Sequence, residues 1–97
     1  MTREEAIRIL RSALPTLKER YGVQDLGIFG SVARDEAGPD SDVDVLVKFE
    51  GPTRFRAFMG LQFELEDLLG SKVDLVSSKA LKPLLREEID RDLIHVA

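Results

Sequence analysis

The 97-residue sequence contains no cysteine and no tryptophan, and its only histidine is His95. Without cysteine the chain can form neither disulfides nor zinc–thiolate sites, and it has no cysteine nucleophile. A single histidine also disfavours a Ser-His-Asp hydrolase and a histidine-rich metal site. Any chemistry must therefore come from carboxylates, hydroxyls, basic side chains and backbone amides.

An excess of basic residues is also lacking, because the formal net charge is −4. This charge argues against direct binding of nucleic acid, which needs a basic face. No apolar run approaches the ~20 residues of a membrane span, and the first residues lack a signal-peptide hydrophobic region. We therefore expect a cytoplasmic protein that does not enter the membrane.

The length predicts one domain over residues 1–97, with a core so small that a partner subunit should supply part of the stability. We therefore expect a homo- or hetero-oligomer. Hydrophobic spacing predicts the order α-β-α-β-α-β-α, an α/β (α+β) fold with a small mixed sheet flanked by helices. The predicted strands are 23–29, 42–49 and 72–76. The predicted helices are one between Thr2 and Gly22, a short one within 31–36, and two longer ones over 54–69 and 83–92. Pro15 should break or kink the first helix, because it lacks a backbone donor and clashes with the preceding turn.

Two aspartates, Asp42 and Asp44, alternate with valines on the predicted second strand. Residues i and i+2 of a strand face the same way, so both carboxylates should leave the sheet on the face opposite Val43 and Val45. Two like charges repel unless a cation lies between them, and Mg²⁺ is commonly bound by one or two carboxylates plus substrate phosphates. The alternative is that both aspartates are ordinary solvent-facing residues of an exposed strand.

Gly30 and Ser31 directly follow the first predicted strand and precede a predicted helix. Glycine allows close approach of a ligand to the backbone, and amides at a helix start favour phosphate. Most Gly-Ser pairs are ordinary turns, so this pair alone decides little. Arg34 could bind a phosphate or could pair with Glu36, Asp35 or Asp40, and the sequence favours neither interpretation.

A third carboxylate, Asp74, alternates with Val73 and Leu75 on the third predicted strand. On a neighbouring strand it would flank the first two aspartates and could orient or deprotonate an attacking hydroxyl. Its alternative is an exposed residue at the edge of the sheet.

The combination Gly30-Ser31, ten residues, then Asp42-Val43-Asp44 resembles the signature of nucleotidyltransferases of the DNA polymerase beta-like superfamily. The longer pattern G-S-x-A-R-x-E-A-x-x-x-S-D-x-D-x-L-V more closely resembles the minimal nucleotidyltransferases found beside HEPN-domain proteins. The resemblance extends over essentially the whole chain. At one position this chain has Asp35 where many relatives have glycine, and Asp tolerates a positive φ better than most residues.

This resemblance implies a phosphate-binding turn at Gly30 and Ser31 and a nucleotide contact by Arg34. It further implies a catalytic and metal-binding set of Asp42, Asp44 and Asp74, with one or two Mg²⁺ ions and ATP as substrate. The implied reaction is transfer of AMP to a hydroxyl, a tyrosine of a HEPN-type toxin in the antitoxin members. Two alternatives are a non-catalytic antitoxin that neutralises its partner by contact and a stand-alone nucleotide-binding scaffold. Phe63, which lies outside the main apolar stripe of its helix, is interpreted as an interface residue, with core filling as the alternative.

Overall fold

The computed structural model describes residues 1–96, which form four α-helices and four strands with one short 3₁₀ helix, Ser78–Ala80, after the third strand. The α-helices and strands follow one another as α1 (Arg3–Tyr21), β1 (Val23–Phe29), α2 (Gly30–Ala33), β2 (Val43–Phe49), α3 (Phe55–Leu69), β3 (Val73–Ser77), α4 (Pro83–Asp92) and β4 (Ile94–His95). None of the helices within residues 1–96 is long and apolar enough to cross a membrane.

The four strands form one mixed sheet in the order β3-β2-β1-β4. Strand β2 runs parallel to β3 and antiparallel to β1, and β4 pairs antiparallel with β1. The carboxyl end of β1 therefore meets the amino ends of β2 and β3 at one edge of the sheet. This mixed sheet flanked by helices confirms the predicted fold class.

The core lies on the sheet face covered by α1 and α3. Val43, Val45 and Val47 of β2 are fully buried there, as the alternation of the sequence predicts. On the opposite face, Arg86 of α4 lines a small cavity of about 50 Å³ together with Leu46 and Lys48. Strand β2 is thus covered by α1 and α3 on one face and partly by α4 on the other.

Helix α1 shows where the sequence prediction of its ends is correct and where its interior prediction is wrong. Thr2 and Glu5 form a capping box at the predicted start of the helix, and Gly22 ends the helix with φ 71°. The prediction at Pro15 was a break or a kink; a break is wrong, because α1 continues through Pro15 to Tyr21, and a kink stays a prediction. Pro15 and Arg11, whose carbonyl loses its intrahelical donor, are both exposed, so water can bind that carbonyl.

Strand β4 was not predicted, because two residues are too few to show an alternating pattern. Its pairing with β1 depends on Gly27. A Cβ at Gly27 would lie 2.6 Å from Leu93 Cδ1 and 3.1 Å from the Ile94 carbonyl oxygen, so a larger residue would require the Leu93 side chain and the Ile94 carbonyl to shift.

The broad apolar arc of α3 is only partly buried. Leu61, Leu65 and Leu69 face the core, whereas Phe63 is 60% exposed. Core filling by Phe63 is therefore wrong, and its interpretation as an interface residue stays a prediction.

Tyr21 joins α1 to α3 and provides a test of how these helices are held together. Its hydroxyl donates to Glu64 Oε1 over 2.7 Å, and its ring packs over Gly60, where a Cβ would lie 2.8 Å from Tyr21 Cε1. We expect Tyr21→Phe to lower the free energy of unfolding by about 1 kcal/mol at pH 7, measured by urea denaturation.

The pH dependence of this effect follows from Glu64. The Tyr21 hydrogen bond, followed by Arg20, holds the pKa of Glu64 below its usual 4.5. A lowered folded-state pKa stabilises the fold above pH 4.5 and loses that effect as the pH falls through the lowered value. The difference between wild type and Tyr21→Phe should therefore shrink in acid. An equal difference at pH 7 and pH 3 would contradict a role for the ionised carboxylate.

Candidate active site

The sheet brings the three predicted aspartates to one edge. Asp44 is opposite Phe29, the last residue of β1, and is also the register partner of Asp74 on β3. Asp42 directly precedes β2. Asp44 is partly buried, whereas Asp42 and Asp74 are exposed. The predicted position of Asp74, beside the first two carboxylates on a neighbouring strand, is therefore confirmed, and its chemical role stays a prediction.

Gly30 lies directly against Asp44. Its φ is 71°, and a Cβ there would overlap the Asp44 carboxylate, with only 3.0 Å to Asp44 Cγ. Two independent constraints, the left-handed backbone and the space taken by the carboxylate, therefore require glycine at this position. Glycine here allows the turn after β1 to approach Asp44 closely.

Ser31 follows in α2, partly exposed beside that turn. Its carbonyl accepts from the Glu36 amide over 2.8 Å, which keeps the turn closed after α2 ends. Helix α2 has only four residues, Gly30–Ala33, so it begins one residue before the predicted range 31–36 and ends within it. So short a helix has little dipole, which leaves the individual amides and the Ser31 hydroxyl as the groups able to bind a phosphate.

The surroundings of Asp44 change the pKa of its carboxyl group. Burial raises its pKa above the usual 3.8, and the neighbouring charges of Asp74 and Asp42 raise it further, while Arg34 opposes them. The ionised form is therefore disfavoured by its surroundings in the protein alone. A bound cation would reverse this penalty.

These residues fit a divalent metal. They provide hard carboxylate oxygens, crowded like charges and a glycine that leaves room at Asp44. Within residues 1–96, no three or more Asp, Glu, His or Cys side chains are preassembled as a metal-binding group. This agrees with the usual way Mg²⁺ is held by one or two carboxylates plus substrate phosphates and water. We therefore expect metal and nucleotide to bind together.

Arg34 is paired in the structure with two carboxylates. Its guanidinium donates to Asp92 over 2.7 Å and to Glu36 over 3.3 Å. The pairing with Glu36 was one of the predicted alternatives, whereas Asp92 was missed because it lies 58 residues away in the sequence. Since Arg34 also lowers the pKa of Asp44, it lies close enough to the site for a phosphate contact to stay a prediction.

The residue after it, Asp35, has φ 60° and is the only non-glycine residue within 1–96 with a positive φ. Its side chain accepts from the Arg3 amide over 3.2 Å. The expectation that Asp can replace glycine at this turn is therefore confirmed.

Arg34→Gln separates the two interpretations of this arginine. If Arg34 contacts the nucleotide, we expect ATP affinity in the presence of Mg²⁺ to fall about tenfold or more, because one charge-assisted hydrogen bond is lost. Asp92→Asn is the matched control, since it weakens the tie to α4 and keeps the arginine charge. Isothermal titration gives both affinities. Unchanged affinity in Arg34→Gln would limit Arg34 to joining α2 and α4.

Comparison with known proteins places this geometry in a family. Protein adenylyltransferase MntA of Thermococcus cleftensis is 43% identical over 99% of this chain and 97% of its own length. A solved structure provisionally named a minimal nucleotidyltransferase is 44% identical, covers 97% of this chain and 95% of the other, and superposes with a TM-score of 0.80.

Two solved complexes share the fold at lower identity. One is a toxin–antitoxin complex with AMP-PNP. The matched chain of that complex is 23% identical with a TM-score of 0.72, and the match covers 100% of this chain and 73% of the other. The other is a tri-AMPylated HEPN toxin of Shewanella oneidensis with its MNT antitoxin, 19% identical with a TM-score of 0.68, covering 94% and 71%. Residues 10–95 match the nucleotidyltransferase domain family. The chain therefore belongs to this family of nucleotidyltransferases.

Proposed function

We propose that residues 1–97 form one protein adenylyltransferase domain that transfers AMP from ATP to a hydroxyl of a partner protein. The observation that carries the proposal is the convergence of Gly30, Asp44 and Asp74 at one edge of the sheet. The MntA relative, similar over nearly the full length of both chains, is named for the same reaction. AMP-PNP, the ligand of one structural neighbour, is an ATP analogue.

Each residue of the site has its own role in the proposed reaction. The amides of Gly30 and Ser31, with the Ser31 hydroxyl, hold phosphate oxygens of ATP. Asp42 and Asp44 hold Mg²⁺, and Asp74 completes this carboxylate set. When bound, the metal offsets negative charge on the phosphates and on the carboxylates.

Asp74, the exposed register partner of Asp44 on β3, accepts the proton of the acceptor hydroxyl. The acceptor oxygen then forms a bond to the α-phosphorus. The bond between that phosphorus and the oxygen bridging to the β-phosphate breaks, and pyrophosphate leaves.

We further propose that the acceptor is a tyrosine of a HEPN-type toxin, which would make this chain an antitoxin. The support is the resemblance of residues 30–47 to minimal nucleotidyltransferases and the AMPylated HEPN toxin in the complex that shares the fold. A protein acceptor also suits a site whose third carboxylate, Asp74, is exposed on an outer strand.

The test is incubation of the purified chain with ATP labelled at the α-phosphate, Mg²⁺ and a HEPN-domain protein encoded beside it. We expect label on the HEPN protein. The control is Asp42→Asn with Asp44→Asn, checked for folding by circular dichroism, which should remove the label without preventing complex formation. A folded wild-type chain that binds the HEPN protein and transfers nothing would favour the non-catalytic antitoxin instead.

A further inference from the structure

The outer edge of β3 is open beside the active site. In the four-stranded sheet of residues 1–96 no strand lies beyond β3. The Val43 amide donates to the Lys72 carbonyl, so the backbone groups of Lys72 face β2 and those of Val73 face outward. The alternation of a strand then turns the amide and carbonyl of Leu75 and of Ser77 outward as well.

Among residues 1–96, hydrogen bonds occupy only the first outward position of this edge. The Val73 amide donates to Glu66 Oε2 over 3.1 Å, and the Val73 carbonyl accepts from Gln62 Nε2 over 3.3 Å. These two side chains of α3 close the edge at Val73. The open part begins at Leu75, one residue beyond Asp74.

An apolar groove of about 470 Å³ runs along this open part. Its walls include Phe55 and Phe58 of α3, Leu75 and Val76 of β3, Thr53 and Ala80. Phe55 is 79% exposed, an unusual position for so large an apolar side chain in a free surface. Exposed aromatic residues beside a groove are typical anchors of protein recognition.

The surroundings of the groove are basic, although the chain as a whole is acidic. The two segments that contribute Thr53, Phe55, Ser77 and Ala80 to the groove, 51–56 and 77–82, are called its rim. In sequence they contain Arg54, Arg56, Lys79 and Lys82 and no Asp or Glu, and Glu50 directly precedes the first of them. The net charge of the chain is −4. The rim therefore favours an acidic occupant by charge complementarity.

We propose that the acceptor protein docks on the groove and the open edge of β3, which together are called the β3 edge groove. This proposal rests on the proposed function. The occupant is an extended acidic segment with an apolar side chain that packs beside Phe55. Its backbone pairs with Leu75, as in strand addition to a sheet edge. A residue of this segment one or two positions away, at roughly 3.3 Å per residue, brings its hydroxyl to Asp74.

An adenine base is the other ligand that an apolar groove of this size could take. It gains little from the basic rim, because the base carries no charge and the phosphates belong to the turn at Gly30. A protein segment uses all three features, which are the backbone edge, the apolar walls and the positive rim.

Phe55→Glu and Phe55→Lys test the docking, since both remove the ring and introduce charges of opposite sign. Leu84→Glu is the matched control, because Leu84 is 81% exposed on α4 and is not among the residues that line the groove. With the HEPN-domain protein as acceptor, we expect Phe55→Glu to raise the KM for the acceptor at least tenfold and Phe55→Lys to raise it less. The Kd for ATP should stay unchanged, and Leu84→Glu should behave as wild type.

A backbone measurement on the full-length chain is independent of catalysis. On addition of the HEPN-domain protein, we expect hydrogen exchange of the Leu75 amide, followed by NMR, to slow. The Val76 amide, which faces β2, should not change. If wild type transfers no AMP, the proposed function fails, while slower exchange at Leu75 and weaker binding by Phe55→Glu still support docking. If Phe55→Glu leaves the KM for the acceptor and the binding of the acceptor unchanged, the proposal is overturned. It is also overturned if Phe55→Glu weakens only the binding of ATP, because that result would assign the groove to the adenine base.

Discussion

Asp44→Asn is expected to reduce AMP transfer by about three orders of magnitude, because a metal-binding carboxylate contributes several kcal/mol to such a transition state. Asn keeps the shape of the side chain and removes its charge. The measurement is transfer of α-labelled phosphate to the acceptor at saturating ATP and Mg²⁺. Activity within tenfold of wild type would exclude Asp44 as the central metal ligand.

The same variant should be no less stable than wild type when metal is absent. The pKa of Asp44 is raised above 3.8 by burial and by its acidic neighbours, so the folded state binds this proton more tightly than the unfolded chain does. Stability from this group is therefore greatest in acid and is lost as the pH rises from about 3.8 through the raised value. Thermal unfolding in EDTA at pH 7 should give Asp44→Asn a midpoint equal to or above that of wild type. Added Mg²⁺ and ATP should raise the wild-type midpoint and leave the variant nearly unchanged.

Gly30→Ala is expected to abolish most activity, by a factor of about one hundred or more, because placement of catalytic groups is sensitive to shifts of about 1 Å. The added Cβ would overlap the Asp44 carboxylate, so the turn and Asp44 could not keep their present positions. The substitution also places Ala at φ 71°, which costs about 1 kcal/mol or more.

Gly70→Ala separates these two effects. Gly70 has φ 64°, and a Cβ there would meet nothing within 4 Å. Gly70→Ala should therefore lose stability through backbone strain alone and keep its activity per folded molecule. Urea denaturation and single-turnover transfer measure the two quantities. Equal losses of activity in both variants would show that the contact between Gly30 and Asp44 has no part in the reaction.

Strands β1, β2 and β3 were predictable to within one residue, because they alternate or form short apolar runs bounded by glycine or turn residues. The helix ends at Gly22 and Gly70 were equally clear, since both glycines take the left-handed conformation that ends a helix. Pro15 misled the prediction because its cost depends on whether the freed carbonyl can reach water, which the surrounding fold decides.

The residues of the candidate site were recognisable because Gly30, Ser31, Asp42 and Asp44 lie within one short segment. To place Asp74 beside them, the sequence prediction needed only the assumption that β2 and β3 pair in the sheet. The second partner of Arg34, Asp92, was not predictable, since Asp92 is at the far end of the last helix and carries no local signal. The β3 edge groove was likewise hidden, because Phe55 reads as one more apolar residue of an amphipathic helix.

At one edge of the sheet the carboxyl end of β1 lies beside the amino ends of β2 and β3, and this arrangement has a consequence for folding. Gly30, Asp44 and Asp74 belong to different parts of the chain and approach one another only when β1, β2 and β3 have all paired. Contacts of such sequence separation form late relative to local helices. A nascent or partly proteolysed chain should therefore have no residual affinity for ATP, and ligand binding should protect the whole sheet cooperatively rather than one loop. In a cell, the ability to modify a target would then appear only once the domain is complete.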